Sequence, residues 1–335
     1  MGAPIEIPPF DPLFRNGHLA TLVGNFWSRP ISESRWPVRD THYEPEPGVQ
    51  VLVREQTPEQ ARADLILVHG LEGTSESGYM RSMAHAALSA GFATHRYNMR
   101  GCGGSPWSLK ANYHSGQTED LLFIAKHLRR TNLRPLYIVG FSLGGNMLLK
   151  LLGQLASSDL IAGAISVCAP IDLAAAVRRI TQKQNVIYHR RFVKRLKLRV
   201  VRRNPQAPDL FPLEHLPKVR SIYDFDEWYT AKIFGFGTAD RYYATQSSNQ
   251  FLGAIRTPVL MIHALDDPLI PPAIYRHPAV SQNPFIQHAP VEHGGHLGFL
   301  SRRKPRFWLD DLVVNWLTSQ VNHATGNESA TVNVS

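Results

Sequence analysis

Gly140-Phe141-Ser142-Leu143-Gly144 places a serine between two glycines, where an apolar run, RPLYIVG, gives way to a helical pattern, LGGNMLLKLLGQL. Strand, serine, helix is the context in which a serine becomes a nucleophile. The turn holds the hydroxyl outward in a strained backbone conformation, and the glycines remove Cβ atoms that would collide there. A helix that starts at the serine also aims its unpaired N–H groups at the spot where an oxyanion would form. A serine hydroxyl is weak at neutral pH; it needs a base, and the base needs an orienting acid. In this motif both follow the serine in the chain. The run VLMIHAL ends in Asp266-Asp267-Pro268, and VEHGGHLGF carries His293 and His296. Each lies just past the C-terminal end of an expected strand, where open α/β sheets build their sites. Asp267, directly before the proline, is the expected orienting carboxylate, with Asp266 as the alternative. His296, flanked by Gly295 and Gly298, is the expected base, with His293 second. The expected oxyanion donors are the backbone N–H of Leu143 and that of Leu71, in the early loop VHGLEGTS.

Other polar clusters read more plainly. MRGCGGSP (99–106) is glycine-rich but has no phosphate-loop Lys-Ser/Thr, so it is expected as a loop near the pocket mouth, with Cys102 structural. Glu119-Asp120 opens a helical pattern, where acidic residues suit the helix dipole. The two cysteines, Cys102 and Cys168, show no paired spacing, so neither a metal site nor a disulfide framework is expected, and no cofactor is implied.

Something must hold these residues at one end of a scaffold. Short apolar runs at 64–70, 91–98, 134–140, 162–170, 257–265 and 284–289 read as strands. Helical spacing fills 78–90, 116–130, 143–155 and 307–317. Continuous Val/Ile/Leu runs without alternation describe strands covered on both faces, and their alternation with helices describes a mostly parallel sheet wrapped by helices, an α/β fold. Residues 171–250 break that rhythm with a basic helical stretch and an aromatic-rich one, and read as a helical cap inserted over the sheet. The domain spans 1–320, and 321–335 is a polar tail.

The 335 residues are 43% hydrophobic and 19% charged, enough for a large core. No run of 18 apolar residues occurs, and the N-terminus lacks a signal-peptide pattern, so a cytoplasmic protein is expected. The net charge of +9 is local: residues 171–250 hold 15 Lys/Arg and 7 Asp/Glu, and residues 178–203 hold 11 basic and no acidic ones. That speaks for one patch rather than a nucleic-acid-binding surface. Within it, Phe192/Val193, Leu196 and Val200 share a helical side. The segment is either an interfacial helix attracted to an anionic membrane or a packed lid helix with a solvated basic face; the second is favoured.

Taken together, NGHLATLVGNF, LVHGLEGTSESGYMR, YNMRGCGGSP, YHSGQTEDL, GFSLGGNMLLK, HALDDPLIP and EHGGHLGF resemble segments of the α/β-hydrolase superfamily, and more closely of its YheT-like group of predicted esterases and lipases, across roughly residues 10–320. The resemblance implies a Ser-Asp-His triad, here Ser142, Asp267 and His296, and hydrolysis of small-molecule or lipid carboxylic esters without metal or cofactor. Some eukaryotic members carry an N-terminal membrane anchor, which this sequence is expected to lack. Thioester cleavage or acyl transfer on the same triad, and a catalytically silent binding module, are the alternatives.

Overall fold

The computed structural model describes residues 5–324 and 326, apart from 28, 30, 32, 33, 111 and 158. Eight strands form one sheet: β1 (Arg39–Glu46), β2 (Val49–Gln56), β3 (Ala63–Val68), β4 (Phe92–Tyr97), β5 (Leu136–Phe141), β6 (Gly163–Val167), β7 (Val259–Ala264) and β8 (Ile286–Val291). Their order is β1-β2-β4-β3-β5-β6-β7-β8. The two β2 pairings are antiparallel, and every pairing from β4 through β8 is parallel.

The apolar runs become strands because both faces are covered. In β3, Leu65 and Leu67 point into one core with Met80, Met83 and Trp316, while Ile66 and Val68 point into the other with Leu121, Ile124 and Met147. The helices α2 (Gly78–Ser89) and α11 (Trp308–Ala324) cover the first face, and α3 (Glu119–Asn132) and α4 (Leu143–Leu155) the second. An N-terminal helix, α1 (Gly17–Phe26), is capped by Asn16, whose side chain accepts from the N–H of His18 and of Leu19. It packs against the loop that carries His296.

Between β6 and β7 the chain runs through α5 (Leu173–Ile180), α6 (Val186–Arg203), a single turn α7 (Ile222–Phe225), a π-helical turn at Asp226–Thr230, α8 (Ala231–Ile233) and α9 (Ala239–Gln246). After β7 comes α10 (Pro278–Gln282). In α6, Leu196 and Val200 are buried in the same core as the sheet face. At about 1.5–3 kcal/mol for each fully buried aliphatic side chain, that side of α6 is committed to packing. The basic segment therefore packs as a helix against the core, and its basic face is not wholly solvated: Arg203 is buried, and Arg199 turns inward to the site.

The expected start of a tail at 321 needs correction. Helix α11 continues to Ala324, and Val321 is buried against the sheet. Most of the rest of the tail lies outside the described residues. The first two strands were not evident in the sequence: β1 is largely exposed, with only Tyr43 buried.

Candidate active site

β5 ends at Phe141 and α4 begins at Leu143, leaving Ser142 alone on the turn with φ 52° and ψ −119°. A non-glycine residue pays on the order of 1–3 kcal/mol for such a backbone, so neighbours must enforce it. The flanking glycines are forced by close approach. A Cβ on Gly144 would lie 2.5 Å from the Val68 carbonyl oxygen and 2.6 Å from that of His69; one on Gly140 would lie 2.5 Å from the carbonyl oxygen of Gly144. The start of α4 thus seats directly on the end of β3.

His296 follows β8. Its Nε2 lies 3.0 Å from Ser142 Oγ, and its Nδ1 lies 2.8 Å from Asp267 Oδ2. Asp267, 1% exposed, accepts at Oδ1 from the N–H of Leu269 at 2.8 Å and of Ile270 at 3.0 Å, which fixes the carboxylate from behind. The neighbouring pair is arranged differently. Asp266 accepts the Gly295 N–H at 2.8 Å and faces His293 Nδ1 at 3.3 Å. Between the two candidates at each position, the geometry brings Asp267 and His296 to the serine and uses Asp266 and His293 to brace the loop. The backbone N–H of His296 donates to Thr21 Oγ1 at 2.8 Å, and the Thr21 hydroxyl donates in turn to the Gly17 carbonyl.

The loop after β3 is held by four side chains, those of His69, Tyr79, Tyr113 and Arg199. The Met99 N–H donates to His69 Nε2 at 3.1 Å, so the proton of the neutral ring sits on Nδ1, which donates to the Gly70 carbonyl at 2.8 Å. Burial pushes the His69 pKa down to about 4, which keeps the ring neutral. The Gly70 N–H donates to the Tyr79 hydroxyl. Glu72 takes a left-handed backbone, φ 56°, its N–H donates to the Tyr113 hydroxyl, and its carboxylate is ion-paired with Arg199 of α6. Burial and the nearby Arg203 lower the Arg199 pKa to about 9, still cationic at neutral pH. Leu71, between Gly70 and Glu72, lines the same cavity as Ser142 and Leu143, and among the described residues neither leucine N–H has an acceptor.

Two cavities meet at Ser142, Leu71 and His296. One, of about 90 Å³, lies under the cap and is walled by Leu173, Val177, Ile180, Leu196, Ile222 and Phe225. Its polar end holds Asp226, on the π-helical turn, which accepts from the hydroxyls of Thr230 at 2.7 Å and Tyr243 at 2.6 Å. The other, of about 300 Å³, is a more polar cleft between α1, the loop after β3 and α6. No helix of the described residues is long and apolar enough to cross a membrane.

Sequence reasoning missed several of these residues. Thr21, Tyr79 and Arg199 act through contacts across the fold, and nothing in their local sequence marks them; the sequence marks His69 only as part of the turn before Leu71, not as the residue that accepts from the Met99 N–H. Cys168, at the end of β6, brings its Sγ within 4.8 Å of donor atoms of Asp267 and His296. Burial pushes its thiol pKa well up, and Asp267 and His296 already bond each other, so the trio is a poor metal site. The loop at 99–106 lies at the site as expected only in part: its Met99 braces His69, while Cys102 packs against the core.

A parallel sheet with a strained serine turn, an acid and a histidine at its C-terminal edge, and a helical cap over an apolar cavity define an α/β hydrolase. The Hydrolase_4 family model, described as serine aminopeptidase, S33, matches residues 59–289, and the chain belongs to that family, within its YheT-like branch. It is 33% identical over 313 residues to the putative esterase YheT of Escherichia coli, covering 91% of each chain. It is 30% identical over 301 residues to a monoacylglycerol lipase of Saccharomyces cerevisiae, covering 87% of this chain and 65% of that one. An esterase of Pyrococcus furiosus shares the fold with a TM-score of 0.60 over 88% of this chain and 97% of that one, at 15% identity.

Proposed function

We propose that the chain is a serine hydrolase of carboxylic esters, with Ser142 as nucleophile, His296 as general base and acid, and Asp267 as the group that orients the imidazole. The observation that carries this reading is the unbroken relay from Asp267 Oδ2 to His296 Nδ1 and from His296 Nε2 to Ser142 Oγ, opening on an apolar cavity. The names of the relatives, esterase and lipase, point the same way.

The acyl chain lies in the cavity under the cap. Ser142 Oγ attacks the carbonyl carbon as His296 Nε2 takes its proton. The negative oxygen of the tetrahedral adduct accepts from the N–H groups of Leu71 and Leu143. The adduct collapses, His296 returns the proton to the leaving oxygen, and the alcohol departs. Water, deprotonated by His296, then releases the acid and restores Ser142. Asp267 accepts Nδ1–H throughout and keeps the imidazole oriented.

The test is hydrolysis of p-nitrophenyl esters from acetate upward by wild type and Ser142→Ala. Wild-type turnover lost by at least about 10⁴-fold in the variant is expected. Activity that survives in the variant sinks the assignment. Because the family description names an aminopeptidase, an amino-acid p-nitroanilide belongs in the same assay; a preference for it would turn the reading to amide hydrolysis. Contact with an anionic membrane would run through the outer side of α6, where Ile187, Leu198 and Val201 are exposed beside Arg190 and Lys194. Sedimentation with anionic but not neutral vesicles is its check.

A further inference from the structure

The polar cleft beside Ser142 contains five charged side chains: Arg29, Glu72, Glu76, Arg191 and Arg195. Three have a partner of opposite charge. Arg29 faces Asp310 at 3.6 Å, Glu72 pairs with Arg199, and Glu76 contacts Arg54 and Arg96, each at 2.9 Å. Arg191 and Arg195 have no carboxylate within ion-pair distance among the described residues; Arg191 has only the Phe26 ring, 6.0 Å from its guanidinium carbon. They stand four residues apart on α6, so they project from the same side of the helix, and both line the cleft. Two like charges at that spacing weaken a helix, and here no internal carboxylate offsets them. A chemical reason for the arrangement is an anion that enters with the substrate.

The cleft is also the side on which a leaving group belongs. Thr21, which holds the His296 backbone, and Leu297 line it. Ser142 and His296 line both cavities, so with the acyl chain in the apolar one the alcohol half lies in the cleft, within reach of His296 Nε2. We infer that the substrate is an ester whose alcohol half carries an anionic group, a phosphate or a carboxylate, held by Arg191 and Arg195. This rests on the esterase reading above and narrows it.

The experiment uses two pairs of soluble, short-acyl esters, so that no lipid surface is present. Phenyl butyrate is compared with 4-butyryloxybenzoate, and monobutyrin with 1-butyryl-glycerol 3-phosphate. The readout is the ratio of kcat/KM for the anionic over the neutral member, in wild type, Arg191→Gln, Arg195→Gln and the double variant. Because both guanidinium groups are exposed, each is expected to contribute about fivefold to that ratio, and the double variant to lose about 25-fold. The wild-type ratio should also fall as salt rises, a measurement that needs no variant. A fall in both pairs supports a general anion site; a fall in the phosphate pair alone supports a phosphate site. An unchanged ratio in the double variant overturns the inference while leaving the esterase reading intact. A ratio that responds only when anionic vesicles are added overturns it in favour of a membrane role. A wild type that cleaves neither member of either pair overturns the esterase reading itself.

Discussion

Replacing Asp267 by asparagine separates the two adjacent aspartates. In the wild type, Oδ1 accepts two backbone N–H groups and Oδ2 accepts His296 Nδ1–H. An asparagine has one oxygen and one NH₂. The two backbone donors hold the oxygen where Oδ1 stands, which turns the NH₂ toward Nδ1. Nδ1 must then become the acceptor, the ring proton moves to Nε2, and Nε2–H points at Ser142 Oγ. In that tautomer the imidazole cannot take the serine proton. The expected loss is about 10³–10⁴-fold in kcat with little change in KM, or about 4–5.5 kcal/mol of transition-state stabilisation. Asp266→Asn is different: its oxygen still accepts the Gly295 N–H, and the contact it alters, His293, does not reach the serine. Its loss should stay below about tenfold, because the altered contact with the half-buried His293 lies outside the Asp267–His296–Ser142 relay. The assay is p-nitrophenyl ester turnover for both variants, with thermal unfolding alongside to confirm folding. A loss under tenfold for Asp267→Asn, or an equal loss in both, would refute the assignment of the orienting carboxylate.

Two further perturbations probe the surroundings of the triad. Arg199→Gln removes the countercharge of Glu72, whose left-handed backbone sits next to the Leu71 N–H; kcat should fall about tenfold, more than KM rises, and a change confined to KM would show that Arg199 contacts substrate instead. Asp226 is buried, and burial raises its pKa to about 6 from the ordinary 3.8. Its folded pKa exceeds its unfolded one, so its contribution to stability is full below about pH 4 and is lost as pH rises through about 6, roughly 3 kcal/mol in all. Asp226→Asn should therefore flatten that part of the stability profile and raise Tm at pH 7.5; an unchanged slope in thermal scans across pH 4 to 7 would contradict the buried, raised carboxyl.

The parts of the molecule legible in the sequence share one physical property: their signal is local. The strand runs ending at Val68, Phe141, Val167 and Ala264 are apolar on both faces because helices cover both faces. The helix at 143–155 matches its expected bounds because the serine turn on one side and the end of the apolar pattern on the other both leave a mark. The acid and the histidine could be narrowed to two neighbours each by chain order, but Asp266 and Asp267 are chemically identical in sequence. What separates them is which carboxylate meets the N–H groups of Leu269 and Ile270 and which meets that of Gly295. That is a matter of backbone direction after β7, and no composition or period encodes it. Strand β1 was invisible for the opposite reason: an edge strand with one buried residue needs no apolar pattern.

The basic helix α6 shows how one local signal can hide three roles. Its periodicity marks an amphipathic helix and goes no further. In the fold, Leu196 and Val200 anchor it to the core, Arg199 reaches Glu72 in the loop after β3, and Arg191 and Arg195 face the cleft beside the serine. A helix that is at once lid, brace and cleft wall couples these tasks mechanically. An outward shift of α6 that carried Arg199 with it would separate that residue from Glu72, next to the Leu71 N–H. On the proposed reading, a leaving group that fits without moving α6 would keep that donor in place, and the cleft would select by catalytic rate as well as by binding.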